Sequence, residues 1–202
     1  MVAVNDRSLL GAVFALGLTG GIVSLERIAG SLGSDAVRVE RRARELQETG
    51  YVEVDGRRIA LTKKGRSAIR VVFVGGGFEI IHPGHLHTLE EAKKLGDVLI
   101  VIVARDSTIR RRKGREPVSS ETERLHLLGS LRQVDAAILG VEGDIYNTLE
   151  RVKPDVVALG YDQHHTKRDI AHEAEKRGMK LRVVRLGAKR PGLKTSKLLL
   201  DT

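Results

Sequence analysis

Between residues 75 and 85 the chain reads Gly75, Gly76, Gly77, Phe78, Glu79, Ile80, Ile81, His82, Pro83, Gly84, His85. Three glycines let a backbone turn sharply and approach a ligand with no Cβ in the way. Two histidines flank Gly84 where the next helix is expected to begin. A helix start presents free amides and the positive end of its dipole, so it favours phosphate oxygens. Two imidazole donors beside it suit a triphosphate, because charge that builds on the α-phosphate during displacement meets fixed donors. The glycine spacing excludes two other phosphate motifs. Gly75 and Gly77 lack the third glycine of a dinucleotide fingerprint, and no GxxxxGK followed by Ser or Thr occurs.

A site of this kind needs a strand to deliver the glycines and a helix to receive the histidines. From residue 70 onward, buried apolar runs alternate with amphipathic stretches. Strands are predicted at 71–74, 97–103, 136–139, 155–159 and 181–186, and helices at 84–95, 120–131, 145–152, 167–177 and 195–200. Such alternation means a parallel sheet covered on both faces, with ligands at the carboxyl ends of the strands where the strand order reverses. The expected fold is α/β: a Rossmann-like domain with a five-stranded parallel sheet over residues 70–202.

Residues 1–69 read differently. Ser8 opens an apolar helix to about Leu18, Ser24 opens a second ending near Gly30, and Ser34 and Asp35 offer caps for a third through Glu48, stopped by Gly50. Two short β-type runs, 51–54 and 58–61, flank Asp55, Gly56 and Arg57 as a hairpin. Three helices and a hairpin predict a small winged helix-turn-helix domain. Its third helix would face DNA with Arg38, Arg41 and Arg42, and its wing with Arg58.

The bulk numbers set the limits. At 202 residues the chain can form two cores, and 41% apolar with 30% charged residues describes a folded globular protein. A formal charge of +9 favours anionic partners without choosing among them; it divides as +4 over residues 1–70 and +5 over 71–202. With no cysteine, disulfides, thiolate zinc sites and cysteine nucleophiles are excluded. The apolar run 9–18 is interrupted by glycine and too short to span a bilayer. A cytoplasmic protein with no membrane partner is expected. The adjacent His164 and His165 lack a second ligand pair at metal spacing, so no protein-held metal is expected.

The run from Gly76 to His85 resembles the GTFDxxHxGH signature of the cytidylyltransferase-like nucleotidyltransferases, and the resemblance extends over residues 71–202. Within that superfamily the stretches LIVIVARD (99–106), RKGREP (112–117), VDAAILG (134–140) and PDVVALGYDQ (154–163) are most similar to the archaeal FAD synthases. The resemblance implies that His82 and His85 contact phosphate and the transition state. It assigns Lys113 to substrate and triphosphate and Arg124 to the arginine of an ER motif, both as catalytic donors to the developing phosphate charge. Nucleotide contacts fall to Gly76, Gly77, Phe78, Gly84 and Asp162, and to Thr195 and Ser196 in a late motif with Lys194 and Lys197. Glu79 stands where the family has aspartate and Gly77 where it has Thr or Ser; Glu79 is expected to face substrate.

The implied reaction is ATP plus FMN giving FAD and pyrophosphate, with Mg²⁺ entering as the metal–nucleotide complex and a homodimer as the assembly. A CTP-dependent transfer to a phosphorylated alcohol such as glycerol 3-phosphate uses the same scaffold. A nucleotide-sensing transcriptional regulator is the alternative of another class.

Overall fold

The computed structural model of the protein describes residues 5–161 and 163–187, which separate into two compact units, Met1–Arg70 and Val71–Thr202. Asp162, Thr195, Ser196, the neighbouring lysines 194 and 197 and the helix expected at 195–200 lie outside the described residues. Among the described residues no helix is long and apolar enough to cross a membrane.

The first unit opens with α1 (Asp6–Thr19). Its cap is Asn5, not Ser8: the Asn5 side chain accepts the Ser8 amide at 2.8 Å while the Ser8 side chain closes the reciprocal half of a capping box. Next come α2 (Leu25–Leu32), capped by Ser24, and α3 (Ala36–Glu48), capped by Asp35. Val39, Ala43 and Leu46, four and three residues apart, form the buried stripe of α3. The antiparallel pair β1 (Val52–Asp55) and β2 (Arg58–Leu61) follows, in register Val52↔Leu61 to Asp55↔Arg58, and a short α4 (Lys63–Ser67) completes the unit.

The second unit is a five-stranded parallel sheet in the order β5-β4-β3-β6-β7. Its strands are β3 (Val71–Gly76), β4 (Val98–Val103), β5 (Ala136–Leu139), β6 (Val156–Leu159) and β7 (Arg182–Arg185). Every residue of β4 is buried, as expected for a central strand covered on both faces. The connecting helices are α5 (Pro83–Lys93), α6 (Asp106–Lys113), α7 (Glu121–Gly129), α8 (Ile145–Val152) and α9 (Lys167–Lys176). The α/β class and the parallel five-stranded sheet are those the sequence predicts. The addition is α6, which packs by a single buried residue, Ile109, and so carries no apolar periodicity.

Strand order sets the position of the site. The chain runs outward from β3 through β4 to β5, then returns across the sheet to β6 on the other flank of β3. The carboxyl ends of β3 and β6 therefore diverge and leave a crevice, the standard ligand position of an open α/β sheet.

Candidate active site

A cleft of about 580 Å³ opens at those strand ends, lined by Gly75 and Gly76 at the end of β3, Gly77 to Glu79 just after it, Gly160 and Tyr161 after β6, and the C-terminal turn of α6. That volume suits a nucleotide-sized ligand. Local chemistry fixes its floor. A Cβ on Gly76 would stand 2.8 Å from the Phe78 ring, so the aromatic folds over the strand end only because residue 76 is glycine. Phe78 itself adopts φ 51, in the left-handed region, and turns the chain toward α5.

His82 is the N-cap of α5 in extended conformation (φ −136), its side chain makes no capping bond, and Pro83 takes the first helical position. The His82 imidazole is thus not spent on the helix end. It stacks on His85 with ring centroids 4.0 Å apart and planes at 28°, while Phe78 lies 5.2 Å from His85 at 60°. Gly84 makes this possible: a Cβ there would sit 3.0 Å from two atoms of the His82 ring. Both imidazoles, Gly84 and the three glycines line the cleft.

Glu79 is placed otherwise than expected. Its side chain is only 1% exposed and its carboxylate is ion-paired to Lys113 and, at 2.7 Å, to Arg115. It also accepts the Val118 amide at 3.3 Å, and its carbonyl accepts the Ser119 hydroxyl at 3.3 Å. Burial works to raise the Glu79 pKa, but the hydrogen bonds from Arg115 and Lys113 outweigh it and hold the carboxyl below its ordinary range. Glu79 therefore anchors the loop between α6 and α7 and keeps Lys113 at the cleft wall. The extra methylene that distinguishes it from aspartate lengthens its reach to that loop.

Arg124 calls for a larger correction. The sequence suggested a donor aimed at phosphate; the residue is 1% exposed and is not among the cleft-lining residues. Its guanidinium donates to the carbonyls of Gly77 (2.7 Å), Ala104 (2.7 Å) and Ser119 (3.0 Å) and pairs with the Asp106 carboxylate. One planar fork thus ties together the exits of β3 and β4, the start of α6 and the approach to α7. Arg124 is a positioning residue here.

Three side chains that shape the site were given no role in the sequence reading. Glu121 accepts the Asp106 amide at 2.8 Å and the Arg105 guanidinium at 3.0 Å, fixing the start of α6. Arg185, at the end of β7, donates to the carbonyls of Gly160 (2.8 Å), Gln163 (3.1 Å) and His165, so it holds the loop after β6. Gln163 in turn donates to the Gly75 carbonyl at 2.6 Å and bridges the divergent strand ends. An arginine at the carboxyl end of β7, after Val183 and Val184, was the available signal for Arg185.

Residues 73–198 match the cytidylyltransferase-like family. The chain belongs to that family. Its curated relatives include a protein named FAD synthase from Archaeoglobus profundus, 50% identical over 121 residues, which span 60% of this chain and 76% of the relative. Another of that name, from Pyrococcus abyssi, is 44% identical over 138 residues, 67% of this chain and 93% of the relative. Among solved structures, a protein from Thermoplasma volcanium described as a lipopolysaccharide core biosynthesis protein superposes with a TM-score of 0.58 at 44% identity, covering 60% of this chain and 99% of that one. Membership places the chain among the nucleotidyltransferases, and the cleft with its histidine pair lies inside the matched region.

Proposed function

We propose that the second unit transfers the adenylyl group of ATP to the phosphate of FMN, forming FAD and releasing pyrophosphate. The observation that carries the chemistry is the stacked His82 and His85 at the first turn of α5, directly after a glycine-lined strand exit. The relatives named FAD synthase, at up to 50% identity, carry the choice of substrates.

In this reading a phosphate oxygen of FMN attacks the α-phosphorus of ATP in line. The bond from that phosphorus to the bridging oxygen of the β-phosphate breaks, and pyrophosphate leaves with the electron pair. No covalent enzyme intermediate is needed, so positioning and electrostatics supply the rate. His82 and His85 donate to the phosphate oxygens on which charge grows, Gly76, Gly77 and Gly84 let those oxygens approach the backbone, and Lys113 is held at the wall by Glu79. The cleft is lined by cationic side chains and imidazoles together with neutral donors such as Thr108 and Tyr161, and the described residues hold no group of three or more His, Asp or Glu able to bind a metal. Mg²⁺ fits this set as part of the substrate, riding on the triphosphate that these cations grip. Asp162, Thr195 and Ser196 are assigned to nucleotide recognition on the family resemblance.

The test is pyrophosphate release over a grid of ATP or CTP against FMN, riboflavin and glycerol 3-phosphate, with products weighed by mass spectrometry. FAD from ATP and FMN is expected. A CDP-linked product would replace the substrates and keep the mechanism, and nucleotide binding with no turnover would replace the enzyme with a sensor.

For the first unit we propose DNA as partner, supported by the exposed Arg41 of α3 and Arg58 of β2, with Arg38, half-buried, one turn before Arg41 on α3. Arg42 leaves that set: its guanidinium is ion-paired to both Asp6 and Glu45 within the unit.

A further inference from the structure

Four cations line the cleft besides the histidines: Arg105, Arg111, Arg112 and Lys113. Two are neutralised by the scaffold, Arg105 by Glu121 and Lys113 by Glu79. Among the described residues no carboxylate lies within ion-pair reach of the other two. Arg111 donates only to the Gly143 carbonyl, at 3.3 Å. Arg112 faces another nitrogen group, with its Nη2 and the His165 Nε2 3.4 Å apart. That spacing is longer than the roughly 2.7–3.2 Å of a well-made N–H hydrogen bond, so neither group is strongly committed.

We infer that Arg112 and His165 form a second anion subsite in the cleft, built from residues other than the histidine pair, which takes the phosphate monoester of the acceptor substrate. This rests on the reading of the chain as a transferase that must hold two phosphate-bearing substrates at once. One set of donors cannot serve both. Attack requires a triphosphate and a separate phosphate dianion in the same cleft, and the mutual repulsion of the two has to be offset by cations on each.

The pair is held in place from both sides. Arg112 lies in the last turn of α6, a helix whose start is fixed by Glu121 and which ends at Gly114. His165 sits in the loop whose carbonyls Arg185 gathers, including that of His165 itself. The groups facing His165 are Arg112 from α6, His164 in its own loop, Asp169 from α9 and the Arg185 guanidinium beneath its carbonyl. Burial first, then Arg112 and His164, lower the His165 pKa, with Asp169 acting the other way. A neutral imidazole accepts from Arg112; a phosphate dianion placed at the pair receives donors from the guanidinium and, by proton uptake, from the imidazole. Charge-assisted contacts of this kind are the strong ones.

The full chain is tested with flavin fluorescence, comparing the dissociation constants of FMN and riboflavin in wild type, Arg112→Ala and His165→Ala, with ATP affinity measured in parallel. The two flavins differ only by the phosphate, so their ratio reads the subsite. The preference for FMN, Kd of riboflavin over Kd of FMN, is expected to fall about tenfold in each variant, while riboflavin and ATP affinities change by no more than about twofold. Arg112→Lys should restore part of it, since an ammonium keeps the charge but loses the fork. A preserved ratio in both variants overturns the inference, as does loss of ATP affinity with the ratio intact. If wild type binds neither flavin, the choice of FMN fails by itself, and inorganic phosphate titrated by calorimetry into the same three proteins decides the subsite: phosphate heat lost in both variants upholds it, unchanged heat overturns it.

Discussion

At the scale of single residues the site depends on a narrow contact. Gly84 lets the His82 ring lie over the helix start, and His82 then stacks on His85 at 4.0 Å. If each imidazole supplies one donor to the developing charge, His82→Ala or His85→Ala lowers kcat by about 10²-fold, with the melting temperature little changed. Wild-type turnover in either variant would dismiss the assignment. Glu79 makes a different prediction. Its folded-state pKa is depressed by Arg115 and Lys113, so its contribution to stability is fully present above the ordinary glutamate range and is lost as pH falls through the folded value. Lys113 and Arg115 keep 43% and 39% of their side chains in solvent, so Glu79→Gln should cost only about 1–2 kcal/mol near neutral pH. Urea midpoints of wild type and variant should therefore converge as the pH is lowered into the acid range. A gap that stays constant with pH would mean that the charge of Glu79 is not what holds the loop.

At the scale of elements, the arginine of α7 organises more than any side chain of the cleft wall. The Arg124 fork spans the exits of β3 and β4 and the start of α6, and it is fully buried. Replacing it by alanine leaves the Asp106 carboxylate and the carbonyls of Gly77, Ala104 and Ser119 without their donor, which costs about 3–5 kcal/mol. Thermal unfolding of Arg124→Ala should drop by many degrees, with activity lost in step. A variant with unchanged melting temperature and collapsed kcat would restore the direct catalytic role that the ER resemblance suggested.

The same residue shows what the sequence could and could not disclose. The strands were readable because runs such as 98–103 are apolar throughout, and a sheet covered on both faces demands that composition. His82 and His85 were readable because the whole motif is contiguous in the chain. The partners of Arg124, by contrast, lie 47, 20, 18 and 5 positions away, and only the folded sheet brings them together. Helix α6 went unread for another reason: DSTIRRRK offers one buried side chain and no repeating apolar face, leaving only Asp106 at its start and Gly114 at its end as signals. Glu79 was assigned to substrate because the family residue is an acid; the basic loop that neutralises it was in view, but its approach to residue 79 was not.

For the molecule as a whole, the +9 charge is shared by two units whose cations are used differently. In the second unit Arg105, Lys113, Arg115 and Arg124 are paired with carboxylates of the same unit, so much of its basicity serves to hold loops. In the first unit Arg42 is paired and Arg44 bonds Glu40, whereas Arg41 and Arg58 stand exposed on α3 and β2. If those two residues contact DNA phosphates, each releases about one condensed counterion on binding, and the logarithm of affinity falls linearly with the logarithm of salt. Arg41→Ala and Arg58→Ala in the full chain should each weaken binding to all duplex sequences alike and reduce that salt slope by about 1. FAD synthesis by the same variants should match wild type, because neither residue belongs to the unit that holds the cleft. Electrophoretic shifts at three salt concentrations measure the slope. If wild type fails to shift duplex DNA even at the lowest salt, where phosphate contacts are strongest, the exposed arginines are solvated surface charges and the first unit has another partner.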